Sequence, residues 1–250
     1  MPDKKRERNE VKSKFYKKFH IPGILGCIDG IHIPIKKPSV HEDVYKNGMG
    51  FHSLNTMLIC DSDLNILCVD ASNPGLTTAS SVWQSHPLNV HLNELASNGV
   101  QGFLLGNIEY PLSKVMMVPL LNTVEGTPQH LYNLKHATAR NTVELCISVL
   151  KSRFRCLLAI RALHYKPTSA EKIVKACCVL HNIANKTKAP VPPLGPEEAT
   201  VEIVYRQQEE RYKKENASCI KGPQDEIIDQ DLLEGQKLRQ ALVDGIWRKY

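Results

Sequence analysis

Asp29 stands inside the apolar run ILGCIDGIH, where a carboxylate has to be paired, hydrogen-bonded or metal-bound to be tolerated. Glu144 lies in the amphipathic and basic stretch RNTVELCISVLKSRFR. Two acids far apart in sequence, one on a strand and one on a helix beside Lys and Arg, suit phosphodiester cleavage. In such a site the acids hold divalent cations and the bases hold the nucleic acid. Ordinary structural roles fit the same residues: Asp29 as a turn or cap residue, Glu144 as the partner of Arg140 one helical turn earlier. Spacing alone leaves both readings open.

The elements that must position these residues follow from periodicity. Val11, Phe15 and Phe19 predict a short amphipathic helix over 10–19, and runs at 24–35, 52–60, 64–70 and 100–105 read as strands. Asp61-Ser62-Asp63 is a hairpin turn between the second and third, which makes those two antiparallel. Helices are expected at 79–96 and 138–152, and most clearly at 168–186, where Thr168 and Glu171 form a capping box. The Pro-rich segment 189–196 is a boundary, with polar helices following at 197–215 and 231–247. Antiparallel strands followed by helices, with a late strand between them, point to an α/β or α+β layer with its sheet covered by helices. No internal repeat and no Gly-rich phosphate loop is found.

The 250 residues make one large domain or two small ones, and 42% hydrophobic with 23% charged residues excludes wholesale disorder. No run reaches the ~20 apolar residues of a membrane span, and the charged N-terminus lacks a signal peptide's apolar stretch, so neither secretion nor membrane insertion is expected. The eight cysteines contain no CxxC pair, and they read as small core residues in a reducing compartment. Net charge is +6, and nine basic residues between Lys135 and Lys175 face only Glu144 and Glu171. That concentration suits a phosphate backbone and equally a solvated helix face. Within it Arg153 and Arg155, with Lys151, are the candidate nucleic-acid contacts, because guanidinium forks match phosphate oxygens.

Several motifs then occur together and in order: IPGILGCIDGIHIPI, FHSLNTMLICD, NPG before SVWQSHPL, LLGNIEYPL, NLKHATARNTVELCISVLKSRFRCL and ACCVLHNI. Over residues 21–186 the chain resembles the Harbinger transposase-derived nucleases, the DDE superfamily endonucleases of PIF/Harbinger type. The resemblance implies an α/β fold with an RNase H-like core, a mixed central sheet flanked by helices, and a helical C-terminal extension. It implies a basic segment at 1–20, an endonuclease domain at 21–188, and a Pro-rich linker with polar helices at 189–250. It also implies DNA as substrate, a divalent metal (Mg²⁺ or Mn²⁺), a Myb/SANT-like protein partner and a nuclear, or nuclear and cytoplasmic, location. Lys4-Lys5-Arg6 would serve as a nuclear address.

Carried over by position, the family's strand acid is Asp29 and its helical acid is Glu144, the two expected catalytic residues. Asn107 takes the place of the acid in the Leu-Leu-Gly-Asp strand, so the metal set reads Asp29, Asn107 and Glu144. A fourth acidic position is Ala79. One neutral carbonyl oxygen and one methyl group replace two carboxylates, so metal binding should be greatly weakened and catalysis impaired. Glu109 would point to the same face as Asn107 if the strand continued, but displaced by roughly 6.5–7 Å. The alternative is a non-enzymatic, domesticated DNA- or protein-binding module; a decaying transposon remnant is a third possibility. Family members carry a further N-terminal helical region, which makes a truncated or domesticated copy the expectation. His181 and Trp83 read as core, His32 as facing away from the site, and Asp61, Asp63 and Asp70 as turn residues.

Overall fold

A computed structural model describes residues 4–217 and 230–249; Cys219 lies outside them. The apolar runs assemble a mixed five-stranded sheet of order β3-β2-β1-β4-β5. The central β1 (Ile24–Pro34) pairs antiparallel with β2 (Ser53–Cys60), and β2 with β3 (Ile66–Pro74). On its other side β1 runs parallel to β4 (Phe103–Leu105), which runs parallel to β5 (Met116–Met117). Asp29 sits mid-strand opposite Leu58.

Side chains alternate across the sheet with period two, and the two faces carry separate cores. Cys27, Ile31 and Ile33 of β1, with Leu54, Leu58 and Cys60 of β2, pack under α1 (Lys5–Phe19), α5 (Pro128–Arg153), α6 (Pro167–Lys186) and α8 (Gln230–Trp247). Ile28, Met57 and Ile59 meet Val82 and Trp83 of α3 (Ala79–Ser85) and Leu88 and Leu92 of α4 (Pro87–Ser97). Asp29 belongs to the first set, and its position in β1 therefore aims it at α5. A short α2 (Glu42–Tyr45) lies between β1 and β2, a single 3₁₀ turn (Arg155–Leu157) follows α5, and α7 (Pro196–Ala217) follows α6. This is the RNase H-like arrangement of a mixed sheet between helical layers.

The sheet and its helices match the sequence expectation in kind, and the differences have local causes. The single helix expected over 79–96 is two, because the residue before a proline is driven out of the α region: His86 is extended (φ −75°, ψ 134°) and its Nδ1 accepts the Leu88 amide at 3.1 Å. α5 starts well before residue 138, with Thr127 accepting the His130 amide and Pro128 in the first turn. The capping box at Thr168 does not form. The cap residue of α6 is Lys166, and Glu171 pairs with Lys175 instead. Two-residue β5 is too short to leave a periodic signal. α8 returns Leu242, Val243 and Ile246 to the core beneath α5. Among the described residues no helix is long and apolar enough to cross a membrane.

Candidate functional site

The sheet and α5 bring the two predicted acids to one guanidinium. Asp29 is almost wholly buried; its Oδ2 accepts Arg140 Nη2 at 2.7 Å and its Oδ1 accepts the Gly30 amide at 3.0 Å. Arg140 Nη1 reaches Glu144 Oε1 at 2.6 Å along the same helix. Burial works against the Arg140 charge, and the Asp29 and Glu144 carboxylates outweigh it, raising its pKa. All three line a cleft of about 700 Å³ between α5 and α7, together with Asn107, His136, Lys151 and Glu202. His136 Nε2 donates to the Met117 carbonyl (3.2 Å), and burial holds its pKa down to about 4, so at neutral pH the imidazole is uncharged.

Asn107 lines this cleft but turns its amide elsewhere. The chain leaves β4 at Leu105, and Asn107 opens a turn in which its Oδ1 accepts the Glu109 amide (2.9 Å) and its Nδ2 donates to Glu109 Oε2 (2.8 Å). The strand continuation that would align Glu109 with Asn107 is therefore not formed. Ala79, the first residue of α3, packs partly buried against the core on the other face of the sheet. Its Cβ and the Tyr110 hydroxyl lie 3.3 and 3.9 Å from the point a Gly30 Cβ would occupy. Tyr110 is a residue that spacing does not single out. Its hydroxyl is buried without a hydrogen-bond partner, and burial, then Asp29 and Glu109, push its pKa well up.

These donors do not fit a pair of divalent cations. Two metals need several anionic oxygens. Here Asp29 and Glu144 already neutralise one internal cation, Asn107 offers an amide tied to Glu109, and position 79 offers no ligand atom on this face. Among the described residues no group of three or more His, Cys, Asp or Glu is placed to hold a metal.

The three candidate nucleic-acid contacts occupy different settings. Lys151 is buried against Glu202 of α7 at 2.8 Å. Arg153 clasps the end of α6, donating to the His181 carbonyl (3.2 Å), Asn185 Oδ1 (2.7 Å) and the Ala189 carbonyl (3.1 Å). Arg155 is partly exposed and pairs with Glu198 of α7 at 3.2 Å. His181 is fully buried and its Nε2 donates to the Leu64 carbonyl at 2.8 Å. Asp61 takes the turn role, accepting the Asp63 and Asn65 amides at 2.8 and 2.9 Å. His32 is bonded to Ser53 Oγ at 2.9 Å and lies outside the cleft lining.

A DDE superfamily endonuclease model matches residues 28–182. The bovine and human proteins named "Putative nuclease HARBI1" are each 34% identical over 203 residues, 80% of this chain and 57% of the relative. "Protein ALP1-like" of Arabidopsis thaliana is 25% identical over 239 residues, 89% of this chain and again 57% of the relative. The chain thus spans a little over half the length of these relatives. No solved structure matches it. Members of this superfamily are generally divalent-metal dependent. With Asp29 and Glu144 converging beside a parallel β1/β4 pair, and the match extending over most of the sheet and α5, the chain belongs to the transposase-derived DDE superfamily endonucleases.

Proposed function

We propose that this protein is a transposase-derived, nuclease-like protein that acts on DNA and whose phosphodiester chemistry is impaired. The reading is carried by Arg140: one guanidinium satisfies both Asp29 and Glu144, while the other two acidic positions of the family are Asn107, bonded to Glu109, and Ala79 on the far face. The carboxylates that would hold Mg²⁺ or Mn²⁺ are thereby matched to a cation of the chain's own. Supercoiled-plasmid nicking tests this directly, with each metal supplied in turn. The wild-type protein is expected to leave the plasmid intact. Nicking that disappears in Asp29→Ala protein would show the chemistry to be retained. Calorimetric titration of Mn²⁺ should give no binding to wild type, and measurable binding once Asn107→Asp restores a third carboxylate to the cleft.

A non-enzymatic binding module is the second reading, favoured by Lys151, Arg155 and Arg161 lying along the α5 end of the molecule. DNA affinity that falls steeply with salt and ignores chelator supports it. A nuclear location, with Lys4, Lys5 and Arg6 exposed at the N-terminus, and a Myb/SANT-like partner accompany either reading as proposals.

A further inference from the structure

Helix α7 sits on the molecule with its polarity reversed. A surface helix ordinarily buries its apolar stripe and wets its charged one. Here Ile203 and Val204 are exposed, whereas Glu198, Glu202 and Tyr205, spaced to share one helical face, turn inward. Glu202 holds Lys151 and also accepts the Ala159 amide. Glu198 holds Arg155 at 3.2 Å and Arg161 at 3.4 Å. Tyr205 lies beneath the Lys151 ammonium, 5.1 Å from nitrogen to ring centre, packs on Phe51 and donates to the His32 carbonyl at 3.4 Å. Arg206 reaches Ser148 Oγ at 2.6 Å. The helix so placed forms one wall of the cleft that holds Asp29 and Glu144.

Three cations beside the cleft are therefore matched to two carboxylates of the chain's own C-terminal part. A carboxylate meets ammonium and guanidinium groups with the same charge-assisted geometry as a phosphate oxygen. We propose that α7 is an internal stand-in for a nucleic-acid backbone: it occupies the basic strip Lys151–Arg155–Arg161, and DNA binds that strip by displacing it. The inference rests on the DNA-acting reading above and adds the surface and its internal competitor. Release begins at the Glu198 end of the contact, because the Lys151–Glu202 pair is buried and holds more firmly. The Glu198 pairs involve arginines that are each about half exposed, and pairs of that kind contribute little and are screened by salt. The outward Ile203 and Val204 add no apolar burial to the contact. A polyanion presenting many phosphates competes for the same cations with the added drive of counterion release.

The test uses the full chain and a short fluorescent duplex read by anisotropy. Glu198→Gln/Glu202→Gln protein should bind roughly tenfold tighter than wild type, because apparent affinity scales with the uncovered fraction, and Glu198→Gln alone should show part of that gain. Glu197→Gln removes the same charge from the exposed side of α7 and should change nothing. Because Glu202→Gln leaves buried Lys151 without its carboxylate, wild-type hydrogen exchange supplies an independent readout: added duplex should speed exchange over 198–212 and slow it over 151–157. Duplex binding of equal strength in all four proteins, with exchange over 198–212 unchanged, ends the competitor role and leaves DNA binding standing. No duplex binding by any of them, even at low salt, removes the DNA-acting reading and this inference together.

Discussion

Asp29 of β1 with Arg140 and Glu144 at one face of α5, and Cys146 with His181 and Asn185 of α6 at another, are all polar groups beside apolar cores, yet they are satisfied by different kinds of partner. In the second cluster the partner is backbone. His181 Nε2 and Asn185 Nδ2 both donate to the Leu64 carbonyl at 2.8 Å, and Cys146 Sγ reaches the same oxygen at 3.4 Å. Leu64 has the left-handed φ of 64°, so these bonds hold the turn between β2 and β3 against α6. In the first cluster the shortest contacts, Arg140 to Asp29 and to Glu144, are between side-chain charges that line the cleft, and the Gly30 amide adds one backbone bond to Asp29. A carbonyl fixed in a turn holds the backbone in one conformation, whereas a guanidinium between two carboxylates balances charge at the wall of the cleft. The contrast separates a polar cluster that sets backbone structure from one that neutralises the two acids facing the cleft.

The largest break in this comparison comes from Arg140→Ala. Removing one member of a buried ion pair strands the remaining charge, which costs about 3–5 kcal/mol, whereas replacing the whole set by neutral groups of similar size costs far less. Urea denaturation should therefore show a heavily destabilised Arg140→Ala protein and a nearly wild-type Asp29→Asn/Arg140→Met/Glu144→Gln protein. Equal loss in both would mean that Arg140 acts through packing rather than charge.

His136 gives the next effect, on the cleft side. Its folded pKa of about 4 lies below the ordinary histidine value. Above about pH 6.5 both folded and unfolded states hold it neutral and its contribution is complete; as pH falls from there the unfolded state takes the proton first, and roughly 3 kcal/mol is lost by pH 4. Denaturation midpoints followed across that window should fall in wild type and flatten in His136→Gln. A slope that persists unchanged in the variant would place the titration elsewhere.

The same contrast explains what the sequence made legible. Period two and period 3.6 made the strand that carries Asp29 and the helix that carries Glu144 legible, because both acids sit within strongly patterned segments, while their convergence was implied by the family resemblance alone. Arg140 was visible only as the i−4 neighbour of Glu144, since its second bond, to Asp29, crosses 111 residues and leaves no local pattern. Ala79 was legible as a missing acid but not as a residue of the opposite sheet face, which depends on where α3 packs. Asn107 and Glu109 were legible as types, and the strand read over 100–105 ends where β4 ends, at Leu105; the turn that ties the two side chains together leaves no periodic signal. The acidic face of α7 looked like a solvated helix, and only the fold sets it against the basic strip.

The smallest effect tests the closed cluster. His181→Leu keeps most of the volume and removes one hydrogen bond, but the Leu64 carbonyl retains the Asn185 amide, so no acceptor is left unsatisfied. The expected loss is about 1 kcal/mol, that of a single neutral hydrogen bond, read as a lower urea midpoint at unchanged slope. Duplex affinity should be untouched, because the residue is buried on the inner face of α6 and does not line the cleft. Losing the Asn185 donor as well, in His181→Leu/Asn185→Leu protein, leaves the carbonyl only the weak Cys146 thiol and takes an acceptor from Arg153, and should more than double the cost. A double variant no less stable than the single would mean that the turn at Leu64 is held by its own Asp61 bonds, and that this second polar cluster is not the structural counterpart of the first.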